Sequence, residues 1–117
     1  MLSIKRIYEP PDKGDGLRVL VDRLWPRGVS KEDAELDLWL KEVAPTPELR
    51  TWFEHQPERF EEFSDRYRAE LETNPALDEL LDAARGAKTV TLLYGARDPE
   101  FNHAVVLRDV AREALAT

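Results

Sequence analysis

Two short apolar runs, far apart in the chain, set the strongest limit on its fold. Leu17-Arg18-Val19-Leu20-Val21-Asp22 and Thr89-Val90-Thr91-Leu92-Leu93-Tyr94 are rich in β-branched and aliphatic residues. Runs of this kind belong to strands covered on both faces, as in parallel sheets. A long stretch with helix signals separates them. Parallel neighbours need a crossover of a dozen residues or more, usually helical, so the spacing predicts a parallel pair joined by a right-handed connection. Ile4-Lys5-Arg6-Ile7-Tyr8 is a further, shorter strand candidate, and Glu9 to Gly16, with two prolines and two glycines, is the loop after it.

The crossover carries its own punctuation. Ser30 can cap a short helix. Leu36, Leu38, Trp39, Leu40 and Val43 form an apolar patch, helical or irregular. Thr46-Pro47 and Asn74-Pro75 both pair a cap residue with proline at the first helical position. Leu49, Trp52 and Phe53 share a face. Pro57 restarts or kinks the helix, and Phe60, Phe63, Tyr67 and Leu71 continue at helical spacing. Leu77, Leu80, Leu81 and Ala84 follow, with Gly86 as the stop. A last helix is predicted from about Asn102 to Ala114. The expectation is an α/β fold: one layered domain over residues 1–117, with a small, mainly parallel sheet of three to four strands covered by about five helices.

Composition narrows the chemistry. The chain has no cysteine, which excludes disulfides, thiolate metal sites and thiol nucleophiles. Met1 to Arg6 hold no apolar signal core, and no apolar run approaches the ~20 residues of a membrane helix. A cytoplasmic protein with no membrane partner is expected. The net charge of −7 is uneven: Glu32 to Glu79 hold 15 acids and 5 bases, and the remainder 9 acids and 12 bases. Overall acidity opposes nucleic-acid binding, which draws much of its strength from phosphate attraction. A small anion can still bind locally among arginines.

In a parallel sheet, ligand sites lie beyond the carboxyl ends of the strands. That rule points to two polar clusters. Asp22-Arg23-Leu24-Trp25-Pro26-Arg27-Gly28 packs an acid, two guanidinium groups and an indole into seven residues. Tyr94-Gly95-Ala96-Arg97-Asp98-Pro99-Glu100-Phe101-Asn102-His103 joins the last strand to the last helix. Arginine forks grip carboxylates or phosphates, and an imidazole or a tuned carboxylate can move a proton near neutral pH. Each cluster also has a structural reading. Asp22 can pair with an arginine while Trp25 fills the core edge, and Asp98 and Asn102 are good helix caps. If the two strands are neighbours, the clusters share one edge.

Other chemistries find no footing. There is no phosphate-loop or dinucleotide fingerprint. His55 and His103 are distant in sequence, which excludes a histidine-rich metal site, and nothing supports a carboxylate-held magnesium near Asp22 and Asp98. Glu58, Glu61, Glu62, Asp65, Glu70 and Glu72, interleaved with Arg59, Arg66 and Arg68, read as a solvated, salt-bridged helix face.

Val21-Asp22-Arg23-Leu24-Trp25-Pro26-Arg27-Gly28 and Leu92-Leu93-Tyr94-Gly95-Ala96-Arg97-Asp98-Pro99-Glu100-Phe101-Asn102-His103-Ala104 resemble the signature segments of the YeaO-like family, the bacterial domain of unknown function 488. The resemblance extends to Ile4–Tyr8 and Trp39–Pro45, and Gly95 stands where a small residue such as alanine is expected. It implies a cytoplasmic α/β protein and hallmark positions at Asp22, Arg23, Trp25, Pro26, Arg27, Gly28, Tyr94, Arg97, Asp98, Asn102 and His103. It brings no established activity, cofactor or metal. The leading expectation is an enzyme or binding domain for an anionic small molecule, a nucleotide or phosphorylated metabolite. Arg23, Arg27 and Arg97 would hold the anion, Trp25 and Tyr94 would stack on the ligand, and Asn102 would contact it. Asp22, Asp98 or His103 would transfer protons. The alternative is a non-catalytic interaction or regulatory module that turns its acidic helical face to a partner. A monomer and a homodimer both remain open.

Overall fold

The computed structural model describes all residues, Met1–Thr117. Four strands form one parallel sheet: β1 (Leu2–Arg6), β2 (Leu17–Leu20), β3 (Leu38–Trp39) and β4 (Val90–Tyr94), in the spatial order β1-β4-β2-β3. The distant runs pair as expected, Leu17 opposite Val90 and Leu20 opposite Leu93. β1 begins two residues earlier than the sequence suggests, with Leu2 opposite Val90 and Arg6 opposite Tyr94. The apolar patch at Leu36–Val43 resolves into β3 and a 3-10 turn over Lys41–Val43. A two-residue strand leaves no periodicity to read, which is why its sequence was ambiguous.

The helices are α1 (Lys31–Ala34), α2 (Pro47–Phe53), α3 (Phe60–Glu72), α4 (Pro75–Arg85) and α5 (His103–Leu115). Their starts follow local chemistry. The side chains of Ser30, Thr46, Asn74 and Asn102 accept backbone N–H groups of Asp33, Leu49, Ala76 and Val105, which satisfies donors a helix start leaves free. α2 stops at Phe53, and Pro57 opens a 3-10 turn that leads into α3. No helix is long and apolar enough to cross a membrane.

Strand pleating divides the sheet into two unequal faces. Val19, Val21, Val90, Leu92 and Tyr94 join the main core of 19 buried residues under α2–α5. Phe53 stacks on Phe63 with ring centroids 4.3 Å apart, and the Tyr67 hydroxyl donates to Val43 O at 2.6 Å. The apolar cluster on the opposite face is small, Ile7, Leu20, Ala34 and Leu93, with Trp25, Val29 and Leu36 against them. No long helix covers it. A polar network does: the Asp15 carboxylate receives Lys5 Nζ at 3.1 Å and Arg18 Nη1 at 2.5 Å. Arg18 also donates to Ala34 O at 2.7 Å, and Thr91 Oγ1 to Asp15 O at 2.7 Å. The loop after β1 and the end of α1 are thereby tied to the sheet.

Burial alone would raise the Asp15 carboxyl. The Asp12 backbone N–H and the Lys5 and Arg18 side chains outweigh it and hold the group below the usual aspartate value. A carboxyl depressed in the folded state adds stability above its unfolded value and loses it as pH falls through the folded one. Stability is therefore expected to drop in acid, below the ordinary aspartate range. Asp15→Asn should flatten that drop in a pH series of urea midpoints. At pH 7 the same variant should cost on the order of 3 kcal/mol, because Arg18 is left buried without its counter-charge. Gly16 has φ 65, and a Cβ there would stand 2.3 Å from Thr89 O. Gly16→Ala should cost on the order of 3 kcal/mol in the same measurement.

Candidate functional site

Pairing β2 with β4 brings the residues after each strand together, although they lie 73 positions apart in the chain. Asp22 is the joint. One carboxylate oxygen, Oδ2, accepts the Gly95 N–H at 2.8 Å, and the Asp22 carbonyl accepts Trp39 Nε1 at 2.7 Å. A Cβ at position 95 would meet Oδ2 at 3.0 Å, so glycine there allows the close approach that the expected alanine would press against. The other oxygen, Oδ1, is buried and has no hydrogen bond. It lies 3.2 Å from His103 Nε2, but that nitrogen is directed at Val21 O, 3.0 Å away. A carbonyl only accepts, so Nε2 carries a proton in this geometry and the free lone pair of a neutral His103 is on Nδ1.

Beside Asp22 opens a cavity of about 260 Å³. Its polar lining is Asp22, Arg23, Arg50, His55 and His103, and Phe53, Phe63, Pro45 and Ala44 supply apolar wall. Arg23 is braced by the carbonyls of Ala44 at 3.2 Å and Pro45 at 3.4 Å, and lies 3.5 Å from Glu42. Behind it, Tyr67 is fully buried. Burial, with the nearby charges of Glu70 and Asp22, pushes its hydroxyl well above the usual tyrosine value, so it remains a donor to Val43.

Of the residues singled out from sequence, Asp22, Arg23 and His103 meet at this cavity. The others stand apart from its lining. Arg27 and Arg97 are exposed. Trp25 donates to Val29 O at 2.7 Å and packs edge-on against Trp39 at 5.3 Å, which ties its loop together. Asp98 Oδ1 accepts the N–H groups of Glu100 and Phe101, closing the turn before α5. Asn102 caps α5 and donates to Asp98 O at 2.7 Å. Tyr94 is buried, and burial together with Glu9 raises its hydroxyl above the usual tyrosine value.

Sequence reasoning missed Arg50 and His55. Arg50 comes from the middle of α2 and His55 from the turn after it, in the acidic crossover rather than at a strand end. The one signal was the helix break, with Arg50 and His55 between the start at Thr46-Pro47 and the restart at Pro57. Arg50 is conspicuous in its surroundings. Of the five bases between Glu32 and Glu79, Lys41 lies over Trp39 and Arg59 donates to Trp52 O. Arg66 pairs with Glu62 and Arg68 with Glu113. The Arg50 side chain alone has no such partner, and it lines the cavity.

The architecture defines a small α/β domain with a cavity of mixed polar and apolar lining at the carboxyl edge of a parallel sheet. Residues 1–117 match a family model described as an inactive DUF488-N3 subclade. An uncharacterised protein of Mycobacterium tuberculosis H37Rv is 48% identical over 106 residues, covering 91% of this chain and 89% of the relative. The uncharacterised protein YeaO of Escherichia coli K12 is 41% identical over 111 residues, 95% of this chain and 96% of the relative. No solved structure gives a significant match. The chain belongs to the YeaO-like DUF488 family.

The hydrogen bonds separate structural from free positions. Asn102→Ala should cost about 1–2 kcal/mol, since it removes a cap and a buried tie to Asp98. Arg27→Ala and Arg97→Ala should each stay within about 0.5 kcal/mol of the parent protein. Urea unfolding of the three variants checks the contrast.

Proposed function

We propose that this protein binds a small anionic metabolite, most simply a phosphorylated one, in the cavity beside Asp22, and that it binds without turning it over. The observation that carries the reading is Arg50, a guanidinium with no protein partner in an otherwise paired, acid-rich half, placed on the wall of that cavity. Guanidinium groups hold phosphates and carboxylates through paired N–H donors. Arg23 and His55 line the same space and add further donors, and His103 forms part of its wall. The volume, about 260 Å³, falls near the ~300 Å³ lower end of pockets for drug-sized ligands. The reading therefore favours a ligand of sugar-phosphate or mononucleotide size.

Two observations favour binding over catalysis. The matching family model is described as an inactive subclade. Asp98, a proton-transfer candidate from sequence, gives its Oδ1 to two backbone N–H groups of the turn before α5, and His103 Nε2 is directed at Val21 O. In this proposal Asp22 and His103 shape the cavity, Arg23 and Arg50 hold the anion, and Asp98 and Asn102 set the turn that carries His103.

A thermal-shift series with inorganic phosphate, ribose 5-phosphate and nucleoside monophosphates tests the reading. A ligand at a hundred times its Kd should add about 2.7 kcal/mol, a Tm rise of several degrees. Arg50→Ala should leave the ligand-free Tm within a few degrees, as an exposed residue without partners, and abolish the rise. No stabilisation by any of these anions, or equal stabilisation of Arg50→Ala, overturns it.

A further inference from the structure

A helix that closes on a left-handed residue needs only one. α2 has it in Glu54 (φ 47, ψ 33), whose N–H returns to Arg50 O at 3.1 Å. The chain then places the next residue, His55, in the same region, at φ 55. Residues with a Cβ seldom enter this region; glycine sits there most easily, and histidine, like asparagine and aspartate, enters it more often than most, whereas two such residues in succession, Glu54 and His55, are unusual. The same chain shows the simpler closure elsewhere. α1 ends on left-handed Glu35 (φ 46), and Leu36 after it has no positive φ. The second left-handed residue after α2 is therefore not demanded by the cap.

Its consequence is the position of a side chain. The His55 ring lies 5.8 Å from the Phe53 ring and lines the cavity together with Arg50. His103 in the same lining has its Nε2 directed at Val21 O. The His55 ring has no hydrogen-bond partner in the protein, so of the two imidazoles it is the one with both nitrogens available. Strained backbone of this kind concentrates at ligand clamps, where the fold holds a side chain in a place that local preference would not choose.

We infer that His55 is the clamp of this site: its imidazole N–H donates to a phosphate oxygen of the ligand held by Arg50, and the paired left-handed turn at Glu54-His55 is kept to aim it. The inference rests on the anion-binding reading above and adds the residue that governs how tightly a phosphomonoester is held.

Calorimetric titration of inorganic phosphate and ribose 5-phosphate into the full chain, with the ligand-free Tm of each variant, tests it. His55→Gly relieves the left-handed backbone and removes the donor. Its Tm should equal or exceed the parent value by a few degrees, and its affinity should fall about tenfold or more, the loss expected for a hydrogen bond to a charged group. His55→Asn, which tolerates the same backbone and keeps an N–H donor, should recover part of that loss. Glu54→Gly should raise the Tm and leave Kd within about twofold, since glycine keeps the same left-handed turn without strain and the donor is untouched. Parent-like affinity in His55→Gly overturns the clamp and leaves anion binding standing. So does an Asn variant no better than Gly, or a Gly variant that loses stability along with binding. Absence of any binding to the parent protein overturns the anion-binding reading, and the clamp with it.

Discussion

The hydrogen-bonded pairing of β2 with β4 governs the rest of this molecule, because parallel neighbours cannot be joined by a tight turn. The chain between them must leave the sheet, travel and return, and that excursion contains β3 and α1–α4. α5 then folds back after β4 and packs beside α3 and α4 against β1. The large core follows from this route: Val19, Val21, Val90 and Leu92 on one face meet Phe53, Phe63, Tyr67 and Leu71 from the excursion. The cavity follows too. Asp22 leaves one central strand and Gly95 the other, and a 2.8 Å hydrogen bond joins them.

The two faces of the sheet are held by different physics. The helical face is apolar and close-packed. The other is too poorly covered for burial alone, and Lys5, Asp15 and Arg18 compensate with ionic hydrogen bonds to each other and to the loops above them. The outer edge of β1 is also occupied: Arg112 donates twice to Leu2 O, and Glu9 accepts the Arg6 N–H through its side chain. An edge strand engaged in this way offers fewer free backbone groups to a second chain.

The charge distribution becomes intelligible on this frame. The acid-rich helices turn most of their carboxylates to solvent, and four of their five bases are taken up by rings, carbonyls or acids. The remaining arginine, Arg50, lines the cavity beside the strand ends. An acidic protein can in this way offer a locally cationic recess, with Asp22 fixed inside it by Gly95 and flanked by Arg23 and His103.

Local chemistry determined a great deal of this structure without help from the fold. The cap-proline pairs at Thr46-Pro47 and Asn74-Pro75 start helices wherever they sit, because they satisfy free N–H groups and preset φ. The buried strands, their parallel pairing and the convergence of Asp22, Arg23 and His103 were legible for a similar reason: apolar runs with a long crossover admit few topologies. Other positions depend on contacts that no local pattern encodes. β3 exists because β2 offers it an edge, through bonds such as Leu40 N to Leu20 O. The placement of Arg50 and His55 is decided by how α2 stops and by where Phe53 stacks on Phe63. Trp25, Asp98 and Asn102 carry suitable chemistry in sequence, yet the Trp25 indole N–H, Asp98 Oδ1 and both amide atoms of Asn102 bond to nearby backbone in the folded chain. Residue type announces what a side chain can do, whereas its free hydrogen-bonding capacity is settled only when every neighbour is in place.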